Sequence, residues 1–477
     1  MKKMMVVVAM LLGLGLSQAA QNEAPAGFTA LFNGKDLAGW YGWGTQDPRD
    51  LWAMTPEQLA DYKKKSVEGG LTNKKGQPLN DHINAHWKVA DGELINDGKG
   101  LYLTTDKDYG DFEFWVKYKA LPDGDSGVYL RGIPQVQIWD STKGDPRGLG
   151  QDKGSGGLWN NSKGAPGKDP SKKMDKHFGE WNSFKITMIG ERVTVVFNGE
   201  TVVDNCVLEN FFANKKAGNT AFSKPGQTNQ PAVSAKPPNG FMRDPVPPKG
   251  PIQLQTHGSE IRWRNVFIRE IPPEEANARL AAGGEEGFVR LDNGKDLSNW
   301  QGAVANYEVK DGCIMCKKGK GGDLLSQEEY GDVLIRFEFK LPLAGNNGIA
   351  LRTPKTGGSA SQGLEIQVLD SDGYNAAHPK NPLLPYQYHG SLYHCVGAKH
   401  GYLRPVGQWN YEEIEVRGQK IKVTLNGTKI LDVDIDSFDR SQIAHPPKGL
   451  DRKTGHIGFA GHSDPVAFRN FRVKRLD

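Results

Sequence analysis

Residues 27–40 read GFTALFNGKDLAGW, and residues 287–300 read GFVRLDNGKDLSNW. Four further blocks return in the same order. DSGVYLR (125–131) comes back as NNGIALR (346–352), VQIWD (136–140) as IQVLD (366–370), and EWN (180–182) as QWN (408–410). The last, GPIQLQTHGSEIRWRNVFIREI (250–271), matches GHIGFAGHSDPVAFRNFRVKRL (455–476). Ordered self-similarity of this kind marks a duplicated structural unit. The chain therefore divides into a first copy at 27–271, a linker at 272–286 and a second copy at 287–477.

Within the blocks the pattern is that of strands. Phe112, Phe114, Val116 and Tyr118 alternate with Glu113, Trp115 and Lys117, the period of two that buries one face of a sheet. Ile186–Phe197 and Ile414–Leu425 each place a glycine (Gly190, Gly418) between alternating runs, which predicts hairpins. Many short strands with frequent turn signals predict an all-β fold, two tandem sandwiches or barrels. Helix signals are few. Thr55-Pro-Glu-Gln58, with a capping Thr, Pro at the first helical position and Gln three residues on, predicts one helix. It lies in an insertion (43–85) that the second copy lacks, and a second short helix is expected over 272–284. Residues 213–249, rich in Gly, Pro and Asn, are expected to form a surface loop.

Length and charge agree with two folded domains. The 477 residues are about three times the ~150 of a typical domain. The 60 Lys and Arg against 56 Asp and Glu leave +4, too little to hold nucleic acid electrostatically. Gly 59 and Pro 28 are well short of the ~25–30% that marks disorder. A mean hydropathy of −0.57 excludes a polytopic membrane protein. Residues 1–19, with two lysines, an apolar run and small residues at Ser17 and Ala19, are expected to be a cleaved export leader. The protein is thus expected to be periplasmic or secreted, without a membrane span, and monomeric. Cys206, Cys313, Cys316 and Cys395 are expected to be structural, with room for one disulfide. The Cys313-x-x-Cys316 pair lacks both the second ligand pair of a zinc site and a redox context, so neither a metal nor a cofactor is expected.

Strand parity sorts the polar residues. Leu364, Ile366 and Val368 share a core face, while Glu365 and Gln367 share the other. In the first copy Val136 and Ile138 are core, while Gln135, Gln137 and Trp139 lie on the polar side. Arg131 is placed on a face with Tyr129, and Arg352 on a face with Ala350. Arginine, amides and a carboxylate on neighbouring strands suit a sugar, which needs planar hydrogen-bonding partners and an aromatic platform. Trp139 and Trp159 are the candidate platforms in the first copy, and Tyr393 in the second. Simpler readings stand beside these. Arg131 and Arg352 could form surface ion pairs, Asp140 and Asp370 could cap turns, and the matched His257 and His462 could be structural. His389 has no counterpart, since Ser155 aligns with it. Trp181 and Trp409 are expected to anchor the core.

At these motifs, LFNGKDLAGW, GDSGVYLRG, PQVQIWDS and GEWNSFKI in the first copy and LDNGKDLSNW, GNNGIALR and GLEIQVLD in the second, the sequence resembles the 3-keto-disaccharide hydrolase domain family, formerly the domain of unknown function numbered 1080. The resemblance covers nearly all the chain beyond the leader. It implies concanavalin A-like jelly rolls in exported bacterial proteins that act on 3-keto-glycosides, but it carries no catalytic residues over. The two copies differ where the second has Glu365 and the first Gln135.

Such a substrate suits the residues. A ketone at C3 acidifies the C2 hydrogen, so one base can form an enolate and the C1 substituent can leave before water adds. The route needs a base, an electrophile for the enolate oxygen and an acid. The expected assignment is Glu365 as base, Arg352 as enolate partner and His389 or His462 as acid, with Asp370 nearby. Arg131, Gln135, Gln137, Trp139, Asp140, Trp159, His257, Gln367 and Tyr393 are expected to bind sugar. An ordinary glycosidase would need two flanking carboxylates, and parity separates Glu365 from Asp370. The alternative is a tandem, non-catalytic sugar-binding protein, since a jelly roll alone does not imply an enzyme.

Overall fold

The computed structural model describes residues 22–213 and 244–477. The expected leader and most of the expected 213–249 loop lie outside them. The chain forms two compact units: among the described residues, 22–213 and Val246–Ile271 make unit 1, and Pro272–Asp477 with 244–245 makes unit 2.

Each unit pairs an eight-stranded antiparallel sheet with a five-stranded one, a sandwich as the strand periodicity predicts and of the concanavalin A-like kind that the resemblance implies. In unit 1 the Phe112–Ala120 strand buries Phe112, Phe114, Val116 and Tyr118 and leaves the residues between them outside. Its counterpart in unit 2, Val333–Lys340, buries Ile335, Phe337 and Phe339. The facing five-stranded sheets supply Val128, Leu130, Val136 and Ile138 to one core and Ile349, Leu351, Leu364, Ile366 and Val368 to the other.

The expected hairpins are present. Asn182–Ile189 pairs with Arg192–Phe197, and Trp409–Arg417 with Lys420–Leu425. Gly190 and Gly418 open their two-residue turns at φ +57° and +51°. Positive φ at the first turn position suits a right-twisted hairpin and is cheapest for glycine.

The insertion helix is Pro56–Glu68, and its capping box is complete: Gln58 N donates to Thr55 Oγ1, and Thr55 N donates to Gln58 Oε1. Tyr62 from this helix packs edge-on against Trp43 and donates to Gly42 O at 3.0 Å, covering the Trp40–Trp43 edge strand. The second short helix spans Pro273–Ala282. Among the described residues no helix is long and apolar enough to cross a membrane.

All four cysteines are free thiols, so the disulfide that the sequence leaves open is not formed. One expectation is corrected. Trp181 and Trp409 are only partly buried and carry arginines on their faces, with Arg264 and Arg469 each 3.9 Å from the ring centroid. They sit at strand starts on the outer side of the sheet, where a cation stacked on indole is favourable.

Candidate functional site

The five-stranded sheet of unit 2 runs Trp300–Gly302, Gly321–Tyr330, Gly455–His462, Asn346–Thr353, Leu364–Leu369. Alternate pairing lines across the sheet face away from the core, each with one residue from every strand it crosses. One such line is Leu325, Gly458, Ala350, Glu365, and the next holds Asp323, Ala460, Gly348, Gln367. The corresponding lines in unit 1 contain Thr104, Gln253, Tyr129 and Gln135, then Tyr102, Gln255, Gly127 and Gln137. Unit 1 thus fills its floor with Gln253, Gln255 and Tyr129, all buried, and Thr45 from the insertion bonds the hydroxyls of Tyr102 and Tyr129. Unit 2 replaces those three long side chains with Gly458, Ala460 and Ala350.

Across that cleared floor lies Glu365. Its side chain passes over Gly348, where a Cβ would collide with the carboxylate. The residue is only 3% exposed, and its Oε1 has no hydrogen-bond partner among the described residues. That oxygen is 3.5 Å from His462 Nε2, an ion-pair distance too long for a good hydrogen bond. A buried carboxylate oxygen without a hydrogen bond is costly, so this oxygen is placed to accept one.

Three neighbours have displaced protonation equilibria. The Glu365 carboxylate raises His462 above the usual imidazole range; burial opposes this, and Asp323 and Asp464 add to it. Burial lifts Asp323 above the usual carboxylate range, helped by Glu365 and opposed by its bonds from Ser359 and by His462. Burial lowers His394, with His445 adding and Glu365 opposing. Paired titratable groups pushed apart in this way are a mark of acid–base sites. His394 also sits at φ +65°, a conformation that costs a non-glycine residue roughly 1–3 kcal/mol and clusters at functional sites.

Of the residues singled out from sequence, Glu365, His462, Gln367 and Tyr393 come together here. Leu392 bridges to Ile366 beyond the edge strand, and Tyr393 N donates to Glu365 O at 2.9 Å. Directly opposed residues of an antiparallel pair point to one face, so Tyr393 stands beside Glu365. Gln367 donates to Asn346 Oδ1 at 2.6 Å.

Others lie elsewhere. Arg352, at φ +49°, leaves the strand alternation at a bulge and binds Gly418 O and, at 2.8 Å, Gln419 Oε1 in the hairpin turn of the opposite sheet. It does not face Glu365. Arg131, at φ +55°, is likewise buried and bonds Gly110 O, Pro247 O and Asp111. Parity misplaces both because a left-handed residue breaks the period of two. His389 lies inside the sandwich, its ring 5.1 Å from that of Phe339 and its Nε2 2.9 Å from Glu412 Oε2. Asp370 and Asp140 cap turns: Asp370 accepts from Gly373 N and Ala344 N, and Asp140 from Thr142 N and Asp123 N.

In unit 1, Gln135 donates to Gln137, and Gln137 donates to Asp125 at 2.9 Å. His257 Nδ1 pairs with Asp125 at 3.0 Å. Trp139 is not an exposed platform. It is 7% exposed, bonds Gly154 O and meets Trp159 edge-on, while Trp159 bonds Leu149 O. Trp139 does border a pocket of about 190 Å³ with Phe178, Lys173, Lys176 and His177.

Sequence reasoning missed Asp323, His394, Tyr386 and His445. Asp323 stands where unit 1 has Tyr102, so a full position-by-position comparison of the copies could have flagged it. The other three lie on loops whose return to the sheet leaves no trace in strand periodicity. Among the described residues no group of three or more His, Cys, Asp or Glu could hold a metal ion.

Comparison with known proteins adds a lineage. The chain is 26% identical over 234 residues to a 3-keto-disaccharide hydrolase of Bacteroides thetaiotaomicron, covering 40% of this chain and 79% of that one. A solved candidate glycosyl hydrolase of Parabacteroides distasonis is 25% identical, covers 40% of this chain and 95% of its own, and superposes with a TM-score of 0.36. A galectin-like protein of Bacillus subtilis is 12% identical over 39% of this chain and 94% of its own, with a TM-score of 0.28. The family model for 3-keto-alpha-glucoside-1,2-lyase-like domains matches twice, over 27–269 and 287–474, and the chain belongs to that family.

Proposed function

We propose that unit 2 cleaves 3-keto-glycosides by elimination and hydration. The observation that carries this reading is the Glu365 carboxylate, buried, unsatisfied at one oxygen and 3.5 Å from His462, on a floor that the other copy fills. Family membership and the name of the Bacteroides relative support the substrate class.

With the sugar on the floor, Glu365 takes the C2 proton, and the electron pair moves into the C3 carbonyl to give an enolate. The His462 imidazolium replaces Arg352 as the electrophile for that oxygen. The enolate then collapses to expel the C1 oxygen. The proton held by Glu365 is the nearest one for the departing group. Water finally adds across C1 and C2, its hydroxyl to C1 and its proton to C2, so the net change is hydrolysis. The leader-like residues 1–19 support action outside the cytoplasm.

Unit 1 has Gln135 in place of the base and a filled floor, which supports a non-catalytic role there. The pocket beside Trp139 is the observation favouring sugar binding by that unit. A second reading for unit 2, direct hydrolysis of unoxidised glycosides, is favoured by Asp323, a second carboxylate with a raised protonation range on the same face. The test is to incubate wild type and Glu365→Gln with a 3-keto-disaccharide and with its unoxidised parent. Turnover of the ketone alone, cut roughly 10²-fold or more by the substitution, is expected. Equal turnover of the parent would favour the glycosidase, and an active Glu365→Gln would remove the base.

A further inference from the structure

Beyond the edge strand of the unit 2 sheet stands a wall of rings that the chemistry above does not use. Tyr393 meets His394 with ring centroids 4.2 Å apart and Tyr386 at 5.9 Å; Tyr386 lies 5.6 Å from His394, which lies 5.8 Å from His445. Leu384 and Pro385, just before Tyr386, are exposed. Tyr386, Tyr393 and His394 are only partly buried, and His445 is exposed. Apolar and aromatic side chains left at the surface next to a buried carboxylate form a surface suited to flat rings.

Strand order fixes which part of a substrate would meet this wall. Going across the sheet, His462 lies on Gly455–His462, Glu365 two strands further on, and Tyr393 one step beyond Glu365. If C2 is presented to Glu365, carbons C1 and C3 lie on opposite sides of it. The C3 oxygen must meet the cation, which is His462. The C1 substituent then points the other way, towards Tyr393, His394 and Tyr386.

We infer that Tyr386, Tyr393, His394 and His445 form the leaving-group subsite of unit 2, selecting aglycones that present a flat apolar ring face, whether aryl groups or a second pyranose. The orientation rests on the proposed elimination at Glu365, but stacking on the wall does not require turnover. Burial favours the neutral form of His394, so the wall offers stacking and an N–H while disfavouring a second cation that would compete with His462 for the enolate oxygen.

The test separates binding from chemistry by using unoxidised probes and the Glu365→Gln protein, which holds them without turnover. Affinities for phenyl, methyl and glucosyl glucosides are measured calorimetrically on the full chain, for both anomers. Phenyl and glucosyl compounds are expected to bind about tenfold more tightly than methyl, the size of one good ring contact. Tyr386→Ala should bring the three within about threefold, while Tyr386→Phe keeps the preference. Tyr386 lies on a surface loop, and an unchanged circular dichroism spectrum for both variants excludes misfolding as the cause. Equal affinities for all three probes, no measurable binding of the phenyl compound, or a preference that survives Tyr386→Ala would overturn the assignment. A Glu365→Gln protein that still turns over 3-keto-glucosides would instead overturn the elimination reading, leaving the affinity ratios to judge the wall.

Discussion

The buried pair His389–Glu412 distinguishes the core of unit 2 from that of unit 1. Glu412 is fully buried, His389 nearly so, and His389 Nε2 lies 2.9 Å from Glu412 Oε2. At the matching register unit 1 has Phe184 for Glu412 and Ser155 for His389. Replacing His389 by Ser leaves the Glu412 carboxyl inside the sandwich without its partner, opposite Phe337. Breaking a buried pair from one side typically costs about 3–5 kcal/mol. At about 2–4 °C per kcal/mol for a domain of this size, the melting temperature of unit 2 should fall by roughly 6–20 °C. Replacing both partners by those of unit 1, His389→Ser with Glu412→Phe, removes the stranded carboxyl group and should recover most of that loss, to within about 1.5 kcal/mol of wild type for a volume-conserving swap. The assay is scanning calorimetry of the full chain, with hydrogen exchange to show that the shifted transition belongs to residues 272–477. A single variant that loses less than about 1 kcal/mol, or a double variant no better than the single, would refute the idea that the pair is held by mutual compensation.

Other expectations follow from the site. The first cause of the raised His462 equilibrium is Glu365, so histidine NMR should show it titrating above the ordinary ~6.5 in wild type and lower in Glu365→Gln; identical titrations would sever the two residues. Because the protonated form is the working one, turnover should be lost as pH rises through the raised value, and this limb should move to lower pH in a variant lacking Asp464. Ala350→Tyr restores the unit 1 side chain and should raise KM at least ~10-fold with the fold intact, whereas unchanged kinetics would mean the floor is not where sugar lies. Arg352→Gln removes charged hydrogen bonds to Gly418 O and Gln419 Oε1 and should destabilise unit 2 by roughly 1.5–3 kcal/mol while the folded fraction keeps its kcat; a specific fall in kcat would return Arg352 to the chemistry.

The duplication, the all-β class, the two hairpins and the capped helix were all legible in the chain, because each rests on local periodicity or on residues three or four apart. The core was legible for the same reason: Leu364, Ile366 and Val368 alternate with Glu365 and Gln367, and a strand has only two faces. The identity of Glu365 as the odd residue between the copies needed only the alignment of VQIWD with IQVLD. Tertiary structure decided the rest. A single left-handed residue turned Arg352 and Arg131 out of the alternation and into opposite loops, which no parity rule anticipates. His389 was carried into the core because a long loop returns through the sandwich. Asp323 and His394 were brought within electrostatic reach of Glu365, and Tyr386 and His445 against His394, from segments up to about 120 residues apart in the chain. Periodicity constrains neighbours along a strand, but a site is assembled across strands and loops, where sequence distance says little about distance in space.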